Sequence, residues 1–171
     1  MSKKKWILVI LSVMLVIAWG FRVYQVNAGV ATEYKIKTYK LGEEIKLDNA
    51  ILQIKSASYG KTEVENNYKS VPLTLEMEVR NISDKKIDVM HLITAKLGYG
   101  LEYFQTRDGN FDVEKLRSLK PDMSTNIVLI YHVSPKYNGK TPKIYLNQHL
   151  YEKKVVDSYK EGVRLGIAVQ L

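Results

Sequence analysis

Three histidines are the imidazoles available to this chain: His91, His132 and His149. Brought together by a fold, three such rings would make a zinc site. His91 and His132 fall in apolar, strand-like runs, and His149 follows the polar Gln148, so each reads as a strand or surface histidine. The segment Asp108-Gly109-Asn110-Phe111-Asp112-Val113-Glu114 places oxygen donors at every second position, as the first half of a calcium loop does. Val113 stands where the tight-turn Gly of such a loop belongs, and Leu119 where its bidentate Glu belongs. The segment therefore reads as a solvated acidic turn. Gly98-Tyr99-Gly100 is too short to cradle a phosphate, and no Gly-x-Ser-x-Gly, P-loop or His-Glu-x-x-His occurs. With no cysteine, thiol nucleophiles, thiolate metal sites, disulfides and a lipid-modified cysteine are excluded. The expectation is a protein that is not an enzyme, with no catalytic residue, cofactor or metal.

Aromatic residues carry the remaining chemistry. Tyrosine occurs 12 times against 3 phenylalanines. Tyr59, Tyr68, Tyr99, Tyr103, Tyr137, Tyr151 and Tyr159 fall in turn-like or polar contexts. Exposed tyrosine is a common contact residue in protein or glycan recognition, and half-buried tyrosine also suits a sheet surface.

Charge is partitioned along the chain. The 171 residues carry 26 Lys+Arg and 18 Asp+Glu, a formal +8. Lys3, Lys4, Lys5 and Arg22 put +4 into residues 1–28, which hold no acid, and leave +4 on the rest. Half of the net charge is thus next to an apolar segment, and a nucleic-acid partner loses its support. A modestly basic domain suits an anionic membrane or wall polymer, and ordinary solvated lysines give the same total.

That apolar segment runs uncharged from Trp6 to Phe21, with Ser12 as its polar interruption. A cleaved signal has an apolar stretch of about 7–15 residues, a membrane span about 17–25. An Arg22 that snorkels to the headgroups extends the span to Val26, with Trp19 and Tyr24 at the interface. Val26-Asn27-Ala28 is an acceptable cleavage pattern. The bulky, charged flank of Trp19, Phe21, Arg22 and Tyr24 favours an uncleaved signal-anchor. Three lysines on a short N-terminal tail place that end in the cytoplasm and the following domain outside.

After Ala28 the pattern has period two. Glu33–Lys40 is a polar lead-in, Gly42 a turn, and Glu44–Leu47 and Ile51–Ile54 are short strands. Leu73, Leu75, Met77 and Val79 alternate with Thr74, Glu76, Glu78 and Arg80, which describes one core face and one wet face. Ile87, Val89, His91, Ile93 and Ala95 alternate in turn and predict a strand. Leu101–Phe104 predicts a short strand, Asp112–Ser118 a helical turn or two capped by Asp112, and Ile127–Val133 an apolar strand. Ile144–Leu146 and Val163–Val169 complete the set. Many short strands without βαβ alternation describe an antiparallel two-sheet sandwich.

Two motifs carry a resemblance. Glu78-Val79-Arg80-Asn81-Ile82-Ser83-Asp84-Lys85 closes one strand, and Leu119-Lys120-Pro121-Asp122 precedes the run Ile127 to Pro135. With Tyr39-Lys40-Leu41-Gly42-Glu43 as a domain start, residues 33–171 resemble the telokin-like, immunoglobulin-like domains of unknown function in exported proteins of Gram-positive bacteria. Those domains close a strand on Val-x-Asn-x-Ser and follow it with Leu-x-Pro-Gly and a strand ending Val-Pro. Here Asp122 replaces the Gly, Ser134 intervenes before Pro135, and the lipid-modified Cys of many relatives is missing. The resemblance implies a fold and an address outside the cytoplasm, and brings no catalytic residues.

The reading is all-β: an immunoglobulin-like antiparallel β-sandwich over residues 29–171, preceded by one transmembrane helix in residues 1–28. The expected role is recognition or an accessory function at the cell membrane, single-pass. Its partners are the lipid bilayer and a membrane or envelope protein or an anionic wall polymer, with no nucleic acid. The alternative is a secreted factor or immunity-type protein released by cleavage after Ala28.

Overall fold

In the computed structural model, which describes residues 3–65 and 67–171, the apolar run is one helix, Lys3–Asn27 (α1). Its 25 residues span about 37 Å at 1.5 Å per residue, enough to cross a hydrocarbon core of about 30 Å. Among the described residues none of this helix is buried, and its large apolar side chains are exposed along its length. The helix runs through Arg22 without a break and stops at Gly29, whose φ of +80° suits a residue without Cβ.

The chain then forms Glu33–Lys40 (β1), Glu44–Lys46 (β2), Ala50–Tyr59 (β3), Glu63–Glu65 (β4) and Tyr68–Asn81 (β5). Lys96–Tyr99 (β6), Glu102–Phe104 (β7) and Asp108–Asn110 (β8) follow, then helix Val113–Arg117 (α2). Ser124–Val133 (β9), Lys143–Tyr145 (β10), helix Glu152–Lys160 (α3) and Val163–Gln170 (β11) complete the domain. One sheet has the order β1-β11-β10-β6-β7, and the other β2-β3-β5-β9-β8, with β4 paired to the start of β5.

The period-two reading of β5 holds. Leu73, Leu75, Met77 and Val79 are buried between β3 and β9, and meet Ile45, Leu52, Ile127 and Leu129 from neighbouring strands and Leu97, Ile144 and Ile167 from the other sheet. Apolar burial on this scale is the main favourable contribution to folding.

The two motifs of the resemblance meet in space. Asn81, fully buried, donates from Nδ2 to the carbonyls of Lys85 at 2.7 Å and Leu119 at 2.9 Å. Its Oδ1 accepts from the Ser83 amide and hydroxyl, each at 2.8 Å. The Asn-x-Ser turn thus fastens the end of β5 to the loop before β9. In that loop Asp122 has a φ of +56°, in the left-handed region that favours glycine.

Three expectations are corrected. Ile87–Ala95 is not a strand: Ile87 makes one bridge to Leu119, and Met90–Thr94 form a 3₁₀ turn. Val89, Leu92 and Ala95 are the buried positions, a period of three. Glu33–Lys40 is a full strand, and it pairs with β11 in parallel, so the sandwich is not purely antiparallel. Helices α2 and α3 and the 3₁₀ turns mean that the domain is a β-sandwich with helical connections rather than an all-β fold.

Candidate functional site

The three histidines lie in two places. His132 on β9 sits with Nε2 3.4 Å from Asp108 Oδ2, and with Nδ1 3.8 Å from Glu63 Oε2 and 3.3 Å from the Ser70 hydroxyl. Carboxylates from β8 and β4 thus flank opposite edges of one ring on β9. Ser70, His132 and Asp108 have the residue types of a hydrolytic triad, but Ser70 is 4% exposed and its hydroxyl has no open approach. His91 and His149 stack with centroids 4.6 Å apart at 27°. Rings so nearly parallel aim their lone pairs side by side rather than at one point. Clefts of about 440 and 310 Å³ flank His149 and share Glu152.

The acidic segment is built into secondary structure. Asp108–Asn110 is β8, and Asp112 caps α2 by accepting the Lys115 amide at 3.0 Å, which holds its carboxyl below the usual range.

The seven tyrosines singled out in the sequence separate by burial. Tyr151 is buried, and its hydroxyl accepts from the Ile167 amide at 3.0 Å. The Tyr59 and Tyr99 hydroxyls are hydrogen-bonded to each other, and Tyr59 also donates to the Lys140 carbonyl at 2.6 Å. Burial pushes the Tyr99 phenol well above its ordinary range. Tyr137 stacks on Tyr99 with centroids 4.2 Å apart and carries the Lys136 ammonium over its ring at 4.7 Å. Tyr59, Tyr99 and Tyr137 thus close one end of the core, and Tyr151 is held apart from them beside Leu146 and Ile167. Tyr68, Tyr103 and Tyr159 are exposed.

Tyr103 belongs to a larger feature, the outer face of the five-stranded sheet. Ile144, Leu97, Ile167 and Val169 point into the core, so their strand neighbours point out. On β1 these are Tyr34, Ile36, Thr38 and Lys40; on β11, Arg164, Gly166, Ala168 and Gln170. Lys143 and Tyr145 of β10, Lys96 and Gly98 of β6 and Tyr103 of β7 continue the face. The Tyr103 and Tyr145 rings meet edge to face at 5.6 Å. Both lie on Gly98, where an added Cβ would come 2.7 Å from Tyr145 Cε2 and 3.1 Å from Tyr103 Cε1. The Tyr34 hydroxyl and the Ile36 side chain lie similarly over Gly166. Burial, and then the phenols of Tyr103 and Tyr34, raise the Tyr145 pKa. The charges at these strand positions are Lys40, Lys96, Lys143 and Arg164, and none is a carboxylate. Tyr34 and Tyr145 were not singled out by the sequence reading; the alternation of β1 and the glycines of β6 and β11 are the signals that point to them.

No family model matches the chain, and no curated protein matches it. Among solved structures, an uncharacterized β-sandwich protein from Clostridium difficile 630 is similar at a TM-score of 0.55 and 12% identity, over 82% of this chain and 97% of that one. The yjhA protein from Bacillus subtilis is similar at a TM-score of 0.51 and 18% identity, over 78% of this chain and 98% of that one. At these identities the likeness concerns the fold, which this chain shares with uncharacterised β-sandwich proteins of Gram-positive bacteria.

Proposed function

We propose that this chain is a membrane-anchored, extracytoplasmic domain of the immunoglobulin-like kind that recognises an anionic envelope polymer on the outer face of its five-stranded sheet. The observation that carries this reading is the composition of that face: three tyrosines and four cations, with no acidic strand position. Sugar rings pack on tyrosine faces, and phosphates or carboxylates along the polymer pair with Lys and Arg. Small residues beneath the rings, Gly98, Gly166 and Ala168, keep the surface shallow enough for a chain to lie across it. Helix α1 is long and apolar enough to span a bilayer, and Lys3, Lys4 and Lys5 favour a cytoplasmic N-terminus.

The test is binding of a purified polyol-phosphate wall polymer to the full-length protein in nanodiscs of zwitterionic lipid. Binding is expected at low salt and is lost at 1 M, where the Debye length is roughly 3 Å. Lys96→Glu with Lys143→Glu abolishes it, and Tyr103→Ala weakens it. Unchanged affinity in both variants rejects the face as the site.

A second reading has its own support. Val26-Asn27-Ala28 lies at the end of α1, before the first residue of the folded domain, so cleavage there would release an intact sandwich beginning at Gly29.

A further inference from the structure

We propose that β1 is a docking edge for an extended acidic segment of another protein, which adds to the five-stranded sheet as a sixth strand. The two sheets end laterally on β1, β7, β2 and β8. β2, β7 and β8 have 3 residues each, whereas β1 has 8. Short edge strands are a common protection against pairing with other chains. β1 lacks that protection, and it contains neither proline nor a bulge.

Hydrogen bonds at its two ends fix which backbone groups are free. The amides of Glu33 and Leu41 both donate toward the β11 side, to the carbonyls of Gly162 and Gln170. Alternation along the strand then turns the N–H and C=O of Tyr34, Ile36 and Thr38 to the open edge. Lys40 is next in that series, and Glu43 Oε2 accepts its amide at 2.9 Å. The open stretch therefore runs from Tyr34 to Thr38 and ends at a built-in stop. Among the described residues no strand pairs with it.

Side chains specify the occupant. Lys35 and Lys37 are exposed on one face of this edge, with Glu33 at its start, and neither lysine forms an ion pair among the described residues. Tyr34, 65% exposed, and Ile36 lie on the other face. An incoming strand with carboxylates at alternate positions and apolar residues between them satisfies both faces at once. A second copy of β1 fits less well. The antiparallel register that pairs all three open residues, centred on Ile36, sets Lys35 opposite Lys37 twice, and like charges directly opposed destabilise a pair.

The experiment uses full-length protein in detergent micelles and a blocked peptide of alternating valine and glutamate, matched to β1 in length. Amide exchange is followed by NMR at Tyr34, Ile36 and Thr38. The acidic peptide is expected to slow exchange at these three amides by about tenfold or more, while a valine–lysine peptide leaves them unchanged. Lys35→Glu with Lys37→Glu, two surface changes checked by an unaltered melting curve, reverses the preference between the two peptides. Equal binding of both peptides overturns the proposal, as does protection at the Tyr103–Tyr145 face without protection of β1. Slow exchange at the three amides before any peptide is added, together with a dimer mass, assigns the edge to a second copy and also overturns it.

Discussion

Arg164 Nε donates a 2.9 Å hydrogen bond to the carbonyl of Ala31, and Ala31 is 1% exposed. The amides of Thr32 and Glu33 both reach the Gly162 carbonyl at 3.2 Å. The segment that leaves α1 is therefore part of the folded domain within a few residues of Asn27, not a free tether. Replacing Arg164 by Ala removes the donor from a buried carbonyl and costs about 1–2 kcal/mol locally. Limited proteolysis of Arg164→Ala is expected to cut between Ala28 and Glu33 under conditions that leave the wild type whole. A wild-type digestion pattern would show that the two amide contacts hold the segment without Arg164.

Leu75 is the centre of the core, fully buried with Ala57 and Leu129 opposite it on the two neighbouring strands. Leu75→Asp places an unpaired carboxylate there, at a cost of several kcal/mol against a total stability of about 5–15. The variant is expected to show no cooperative melting transition.

Alkaline pH tests the buried phenols. Burial pushes Tyr131 up to about 12, and its hydroxyl donates to the Ala95 carbonyl at 3.0 Å. Above pH 10 the unfolded chain loses this proton while the folded chain keeps it, so its contribution is whole below pH 10 and is lost as pH rises toward 12. Tyr59, Tyr99 and Tyr151 are raised as well and act in the same direction. Lys154, lowered by burial, acts in the opposite one. The melting temperature is expected to fall between pH 10 and pH 12. Tyr131→Phe should fall less steeply from a starting point about 1 kcal/mol lower, since the Ala95 carbonyl loses its donor.

The anchor reading predicts that full-length protein resists high-salt washing of membranes, leaves them only with detergent, and retains residues 1–28. Central Leu, Ile, Val and Phe contribute about 0.3–0.6 kcal/mol each, and Arg22 near the end of the apolar run snorkels at small cost. Intact-mass measurement decides the matter: a mature chain in the medium that begins at Gly29 replaces the anchor by the secreted factor.

Strands buried on one face were legible in the sequence, because β5, β9 and β11 carry an apolar residue at every second core position. The segment from Ile87 to Ala95 misled because it satisfies two periods. Its apolar residues alternate, yet burial follows Val89, Leu92 and Ala95. Helix α3 escaped notice because it buries no residue fully and has no side-chain cap at its N-terminus. β1 looked like a polar lead-in because an edge strand has little to bury. The outer face could not be read as a motif at all. Tyr34, Tyr103 and Tyr145 come from three strands that do not pair with one another, since β11 and β6 lie between them, and no local spacing encodes them.

The pairing of β1 with β11 also sets a schedule. Glu33 aligns with Val163, so the first strand of the domain to be synthesised waits for the last. At about 5–20 residues per second, that interval is on the order of ten seconds. Until it ends, both edges of β1 are bare, and Ala31 has neither the Gly162 turn nor Arg164 to rest on. Lys35, Lys37 and Lys40 keep such a nascent strand soluble and repel the same strand on a neighbouring chain. Closure of the sheet at this lateral edge therefore cannot precede synthesis of β11, and it orders the segment that follows α1 at the same moment.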